Sequence, residues 1–189
     1  MNINELKEKF KELNLQNQLT LDDMPELDLY MDQVIQLFDS KFNDSKRNEE
    51  DKALTKTMIN NYAKGKLLMP IKNKKYSKDH LILMSLIYNF KTSLSIGDIK
   101  ESLNKIVKAY ENEEEYPIRD LYRLYLEEYE DDLKDVEKNI EEKFNKIENN
   151  KISDDEFIRN FVLLSSFINM SNMYRKISEK LIDDYFSKL

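Results

Sequence analysis

The sequence contains no cysteine, one histidine, two glycines and three prolines among its 189 residues. Without cysteine, disulfides, zinc–thiolate sites, iron–sulfur clusters and thiol nucleophiles are excluded. The single histidine, His80, excludes two-histidine metal motifs. Gly65 and Gly97 are too few to form a phosphate-binding loop or a dinucleotide-binding fingerprint. So little glycine and proline also disfavours a turn-rich β fold.

The sequence also lacks a long apolar run and a signal-peptide pattern. Its longest apolar stretch, residues 81–88, is interrupted by Ser85 and is about half of the ~18 residues needed to cross a bilayer. The first ten residues, MNINELKEKF, include acids and no apolar core. We therefore expect a cytoplasmic protein that does not associate with membranes.

Charge is distributed unevenly along the chain, whose formal net charge is −7. Residues 52–91 hold nine lysines and one acid, a net charge of +8, so the rest of the chain carries −15. Residues 111–142 alone carry −10. A basic block of this kind attracts polyanions locally even when the protein as a whole is acidic.

Apolar residues at helical spacing predict a mainly α fold. The pattern predicts a short N-terminal helix over residues 3–14, an extended connector over 19–25 and a polar loop over 43–52. Further helices are expected from Asp28 to Phe42 and from residue 55 to 64, the second capped by Thr55 and Gly65.

The segment that follows is too short for a helix and contains Pro70. We expect it, from Leu67 to Tyr76, to form an extended wing or a small β-hairpin that turns at Asn73. Ser77 and Ser95 then cap two further helices. The first of these is apolar on nearly all sides, so it should be deeply buried. His80 is expected at the surface or in the first turn of that helix.

The C-terminal part predicts two long helices joined as an antiparallel hairpin over residues 117–187. Pro117 begins the first, and Ser153, with Glu156 three residues later, caps the second. Both carry long apolar stripes, more than one helix pair needs to bury. We therefore expect the hairpin to form a homodimer seam as well. Tyr122, Tyr125 and Tyr129 are interpreted as packing residues.

The basic block has the order of elements that a winged helix-turn-helix requires. Threonine, asparagine and lysine on a helix in the major groove reach base edges or phosphates, and lysines on a wing contact phosphates or the minor groove. The candidate DNA-binding residues are Lys56, Thr57, Asn60, Asn61, Lys64, Lys66, Lys72, Lys74, Lys75, Tyr76 and Lys78.

The same block resembles the DNA-binding head of MerR-type regulators. The resemblance is carried by a TMINNY recognition helix, an LLMP step, a wing that ends in a tyrosine, and the following segment from Ser95 to Ile99. Tyr76 matches the wing tyrosine of that family, whereas Asn60 stands where those proteins usually have an arginine. The resemblance implies a winged helix-turn-helix that binds double-stranded DNA as a dimer.

A wider stretch, roughly residues 19–110, resembles an uncharacterised bacterial family. That family is classed as a domain of unknown function with a MerR-like helix-turn-helix. The motifs that carry this resemblance are LYMDQVI, LTKTMINNY and KKYS.

These observations predict a sequence-specific, DNA-binding transcriptional regulator that acts as a homodimer. The expected division is an N-terminal helix and connector (1–27), a MerR-like winged helix-turn-helix (28–110) and an acidic helical hairpin (111–189). The alternative is a protein-interaction module whose helix-turn-helix scaffold has lost DNA binding. We expect no enzymatic activity, cofactor, metal or small-molecule effector, because neither the acidic tract 111–115 nor the carboxylates of the hairpin have the partners that catalysis or calcium binding requires.

Overall fold

The fold is mainly α-helical, as the sequence predicts. A computed structural model describes residues 2–48, 50–149 and 155–188. Within those ranges seven α-helices, two short strands and two single 3-10 turns are found. In chain order they are α1 (Ile3–Glu12), β1 (Leu29–Tyr30), α2 (Met31–Phe42), a 3-10 turn (Asn43–Ser45), α3 (Lys56–Lys64), β2 (Lys75–Tyr76), α4 (Lys78–Phe90), α5 (Ile96–Glu111), α6 (Ile118–Glu148), α7 (Glu156–Asp184) and a 3-10 turn (Phe186–Lys188).

Helix α4 is the centre of the hydrophobic core. Its residues 80–87 are all buried, so the prediction of a deeply buried helix is confirmed. The same core cluster includes side chains from α2, α3 and α5, among them Phe38, Ile59 and Leu103. The core also includes Ile118 and Tyr122 from the first turns of α6. The core therefore continues past residue 110 into the long helix that follows.

Hydroxyl groups of α6 hold the connector before α2 in place. Tyr122 Oη donates to the carbonyl oxygen of Leu19 over 2.6 Å and lies 2.7 Å from Ser85 Oγ of α4. Tyr129 Oη donates to the carbonyl oxygen of Leu15 over 2.9 Å. Burial raises the pKa of Tyr122 to about 12, so it remains a neutral donor at physiological pH. These bonds tie three distant parts of the chain together.

The two strands form a small antiparallel sheet in which Leu29 pairs with Tyr76 and Tyr30 with Lys75. The predicted helical start at Asp28 is therefore wrong: the helix begins at Met31, because the two preceding residues pair with Lys75 and Tyr76 in the sheet. Within residues 67–76, the described segment that the sequence predicts to form a wing, one bridge forms, between Lys72 and Lys75.

Asn73 and Lys74 make the turn of the wing, with φ angles of 53° and 58°. Two consecutive positive φ values are typical of a type I′ turn, which matches the twist of short hairpins. The predicted turn at Asn73 is confirmed. The sheet partner supplied by β1 is a long-range pairing that no local pattern indicates.

The last helix, α7, packs against α6 and reaches back towards α5. Lys143 Nζ of α6 donates to Ser166 Oγ of α7 over 2.8 Å, and Ile182, near the end of α7, is buried. The cap of α7 is Asp155, whose carboxylate accepts from the backbone N–H of Phe157 over 2.8 Å. The predicted cap, Ser153, lies outside the described residues.

The N-terminal helix α1 is shorter than predicted, because Asn14 takes a left-handed conformation with φ of 49°. Among the described helices, none has the length and apolar character that a membrane crossing demands.

Candidate nucleic-acid interface

Helix α3 presents one polar face to solvent and one apolar face to the core. Thr55 begins the helix, and its Oγ1 accepts from the backbone N–H of Met58 over 3.2 Å. Ile59 and Tyr62 point inward and are buried. The five candidate residues of the helix all lie exposed and, at 100° per residue, fall within an arc of about 140°. They are Lys56, Thr57, Asn60, Asn61 and Lys64.

The end of α3 is closed by Gly65 and Lys66. The backbone N–H of Gly65 donates to the carbonyl of Asn61 over 2.8 Å, which confirms the predicted cap. A Cβ at Gly65 would lie 2.7 Å from Leu67 Cδ1, so a larger residue there would have to displace the end of the Leu67 side chain. The left-handed position is Lys66, with φ of 58°, and its side chain is exposed beside the polar face of α3.

The wing carries three lysines in different environments. Lys72 and Lys74 are exposed, whereas Lys75 is partly buried, with its Nζ 5.1 Å from the centroid of the Tyr30 ring. Tyr30 is itself 54% exposed. Tyr30 is not among the predicted contact residues, because the sequence pattern places it in a helix. Tyr30 lies beside Lys75 because β1 pairs with β2. An exposed aromatic ring next to a lysine could therefore be recognised as a candidate nucleic-acid contact only after this pairing was known.

Tyr76 stands apart from the other candidates because its side chain is only 3% exposed. Its ring meets the ring of His80 edge-on, with centroids 5.8 Å apart. Burial also raises the pKa of Tyr76, so the phenol stays neutral. In this conformation its side chain cannot reach DNA. Tyr76 is corrected from a contact residue to one that holds β2 against α4.

Several lysines of the basic block have partners inside the protein. Lys78 Nζ lies 2.6 Å from Glu26 Oε1, and its side chain is 10% exposed. Lys56 Nζ lies 2.8 Å from Asp32 Oδ1, but both side chains are well exposed, so this pair is weak and readily exchanged. The described carboxylates form no ion pair with Lys64, Lys66, Lys72 or Lys74. Fewer lysines of the basic block are therefore available to bind a ligand than the sequence contains.

Lys91, at the end of α4, has a structural role. Its Nζ donates to the carbonyl of Ala53 over 3.1 Å and lies 4.6 Å from the centroid of the Tyr88 ring. Burial lowers the pKa of its ammonium group. The hydrogen bond to Ala53 holds the backbone just before Thr55, so Lys91 helps to position the start of helix α3.

An acidic margin lies next to the wing. A cleft of 840 Å³ is lined by Lys72 and by residues 113–115 of the α5–α6 connection. On its floor the carboxylate of Asp79 accepts from Tyr110 Oη over 2.9 Å and from Arg119 Nε over 3.0 Å. Burial, with Asp79 adjacent, raises the pKa of Tyr110. The basic surface of the wing therefore ends at this cleft.

His80 lies in the first turn of α4, which is one of its two predicted positions. Its side chain is buried, so the other predicted position, at the surface, is wrong. Its Nδ1 accepts from the backbone N–H of Ser77 over 3.1 Å, which assigns the proton of the neutral ring to Nε2. Burial lowers the pKa of the imidazole. The ring is a neutral cap at the N-terminus of α4, beneath the wing.

No grouping of acidic or histidine side chains suited to holding a metal ion occurs among the residues that the structure describes.

The profile of a family described as a domain of unknown function, DUF1836, matches residues 19–125, which is more than half of the chain. The chain therefore belongs to this family. No curated protein and no solved structure is significantly similar to it. The matched range ends at Tyr125, three residues beyond Tyr122, so it covers the part of α6 that completes the core.

Proposed function

We propose that this DUF1836 protein is a cytoplasmic, bacterial transcriptional regulator that binds double-stranded DNA through a MerR-like winged helix-turn-helix. The observation that carries the proposal is the exposed face of α3, where threonine, asparagine and lysine occupy every outward position. Such side chains can read base edges when a helix lies in the major groove. The lysine-bearing turn at Asn73–Lys74 stands next along the chain, where a wing would contact the backbone.

Two sets of residues have different roles in this proposal, one in sequence recognition and one in affinity. Asn60 and Asn61 read bases, because a carboxamide can bond to adenine with both its donor and its acceptor. Lys64, Lys66, Lys72 and Lys74 neutralise phosphates, which provides affinity without sequence preference.

In this proposal α6 and α7 form a helical hairpin through which two copies associate. A single recognition helix binds DNA weakly, and a dimer presents two of them to adjacent half-sites. The strongly acidic residues 111–142 would keep the hairpin away from the DNA backbone.

The first test is a salt series on the full chain with labelled duplex DNA, measured by fluorescence anisotropy. With ~4 phosphate contacts, log affinity should fall linearly against log salt with a slope of ~−3.6. No binding at low salt, or binding that salt does not change, would contradict the proposal.

The second test separates affinity from specificity. After selection of a preferred sequence, Asn60→Ala should cost ~1–3 kcal/mol on that sequence and little on random DNA. Lys72→Ala with Lys74→Ala should weaken binding to all sequences alike and reduce the salt slope by ~2. The matched control is Lys134→Ala with Lys138→Ala on acidic α6, which should leave binding unchanged. Equal selectivity of the parent and Asn60→Ala would show that α3 is not the reading helix.

A second candidate function is a protein-interaction module built on the same scaffold. Two observations favour it: Glu26 already pairs with the largely buried Lys78, and α7 exposes a broad apolar surface. A dimer that binds no DNA at any salt concentration would support this function over the first.

A further inference from the structure

The middle of α7 is largely exposed to solvent although it contains no charged residue. Residues 160–174 form a run of fifteen residues without Asp, Glu, Lys or Arg, in a chain in which 35% of residues are charged. One stripe of large apolar side chains faces outward from this part of the helix. Its members and their exposures are Phe157 (73%), Phe161 (56%), Leu164 (55%) and Ile168 (50%).

The spacing of this stripe is that of a coiled-coil seam. The four residues follow one another at intervals of four, three and four, the alternation of d and a positions in a heptad. Ile158 and Val162 widen the stripe and are also exposed. Together these side chains leave on the order of 500 Å² of apolar surface open, about the largest patch that monomers carry. It also approaches the ~800 Å² per partner of a standard interface.

The charges at the two ends of the run indicate what covers it. Asp155, Glu156 and Arg159 precede the run, and Arg175 and Lys176 follow it. At 100° per residue, Arg159 lies on the side of the helix opposite the stripe, so it does not enter the seam. A second α7 laid antiparallel, with the two-fold axis midway between Leu164 and Ile168, places the acidic end of each helix beside the basic end of the other. A parallel arrangement would place like charges together. Arg175 is also paired with Glu179, but this exposed pair within one helix is weak.

We propose that α7 pairs antiparallel with α7 of a second copy through the stripe from Phe157 to Ile168. This inference rests on the homodimer of the proposed function and assigns its seam to one face. Along α6, by contrast, the stripe is largely covered: Phe144 is 1% exposed, and the exposed large apolar residues are the isolated Leu124 and Val136. The seam therefore belongs to the second helix of the pair and not to the first.

The absence of cysteine allows a clean test of the geometry by spin labelling. Asn169→Cys and Lys180→Cys, each labelled singly in the full chain, lie on one side of α7 and outside the stripe. In the antiparallel pair, a rise of 1.5 Å per residue separates like labels along the helix axis by ~9 Å at position 169 and ~42 Å at position 180. Pulsed dipolar spectroscopy should find a short distance for the first and a long one for the second. Two short distances would mean a parallel pair and overturn the proposal.

A second test breaks the seam. Phe161→Glu should convert the full chain from dimer to monomer in sedimentation at tens of micromolar, with unchanged helix content by circular dichroism. Leu124→Glu, an equally exposed apolar position on α6, is the matched control and should remain dimeric. A monomeric parent, or dissociation caused by Leu124→Glu and not by Phe161→Glu, would overturn the proposal.

The failure of this inference differs from failure of the proposed function. A chain that binds DNA but does not dimerise loses the seam and keeps the DNA-binding function. A chain that dimerises through α7 and binds no DNA keeps the seam and loses that function.

Discussion

Helices α4 and α7 are both rich in apolar residues, yet one is hidden and the other is not. Residues 80–87 of α4 are buried on every side, whereas among the apolar residues of α7 only Leu163 and Ile182 are buried. The difference lies in where each helix sits: α4 belongs to the core cluster that includes side chains of α2, α3, α5 and α6, whereas α7 runs along α6 with α5 at its far end. The pattern of apolar residues thus indicates that a helix face will be buried, but not whether the same chain or a second molecule buries it.

The largest effect on stability is expected when a buried side chain of α4 is shortened. Leu83 is fully buried, so Leu83→Ala should lower the free energy of unfolding by ~2–5 kcal/mol in urea denaturation. Leu164→Ala on α7, where the side chain is 55% exposed, should change the stability of a single copy by less than ~0.5 kcal/mol. Any larger loss in Leu164→Ala should depend on protein concentration. Equal, concentration-independent losses would remove the distinction between the helices.

The next effect concerns the hydroxyl that connects α6 to the core. Tyr122→Phe leaves the Leu19 carbonyl and the Ser85 hydroxyl without their partner in a buried site, which should cost ~1–3 kcal/mol. Tyr174→Phe on exposed α7 is the matched control and should be neutral within ~0.5 kcal/mol. Calorimetric or urea unfolding of both variants checks the contrast.

A smaller effect should appear with pH. Because burial lowers the pKa of His80 in the folded protein, the unfolded chain binds a proton first as the pH falls below about 6.5. Stability should therefore decline on acidification from pH 7.5 towards pH 5.5, by at most ~1.4 kcal/mol per pH unit. His80 is the only histidine, so His80→Gln should flatten this part of the profile. An unchanged slope would show that His80 is not the titrating group.

The smallest effect concerns the turn of the wing. Lys74 has a φ angle of 58°, a conformation that costs an L-residue about 1 kcal/mol and glycine almost nothing. Lys74→Gly should raise the free energy of unfolding by ~0.5–1 kcal/mol while weakening DNA binding. Lys75→Gly, next to it in β2, should lower stability, because glycine weakens a strand. The same sign for both variants would contradict the assigned turn.

Local patterns predicted the parts of the fold whose causes are local. The cap at Thr55, the paired Ser95 and Asp98 and the buried face of α3 follow from residues three or four positions apart, and the structure confirms them. The Ser95 hydroxyl, for example, accepts from the backbone N–H of Asp98 over 3.1 Å.

Long-range contacts account for what the sequence did not show. The strand at Leu29–Tyr30 exists because Lys75–Tyr76 pairs with it from more than forty positions away. The burial of Tyr76 and the pairing of Lys78 with Glu26 depend on the same assembly. The number of lysines in the sequence does not show which of them pair within the protein and which are open to solvent. The candidates on α3 are exposed, as a binding face requires, whereas Tyr76 is buried and Lys78 is paired with Glu26, so the candidate set was too broad.

The hydrogen bond from Tyr122 to the carbonyl of Leu19 joins residues 103 positions apart. During synthesis, a chain emerging from the ribosome at ~5–20 residues per second would carry the connector for several seconds before its anchor exists. Contacts between such distant residues also slow folding, since a large loop must close before they form. A nascent chain arrested after Tyr110 would have α2 to α5 but neither Ile118 nor Tyr122, so its core would remain open. The first turns of α6 are thus the last part of the chain needed to complete the core that supports α3.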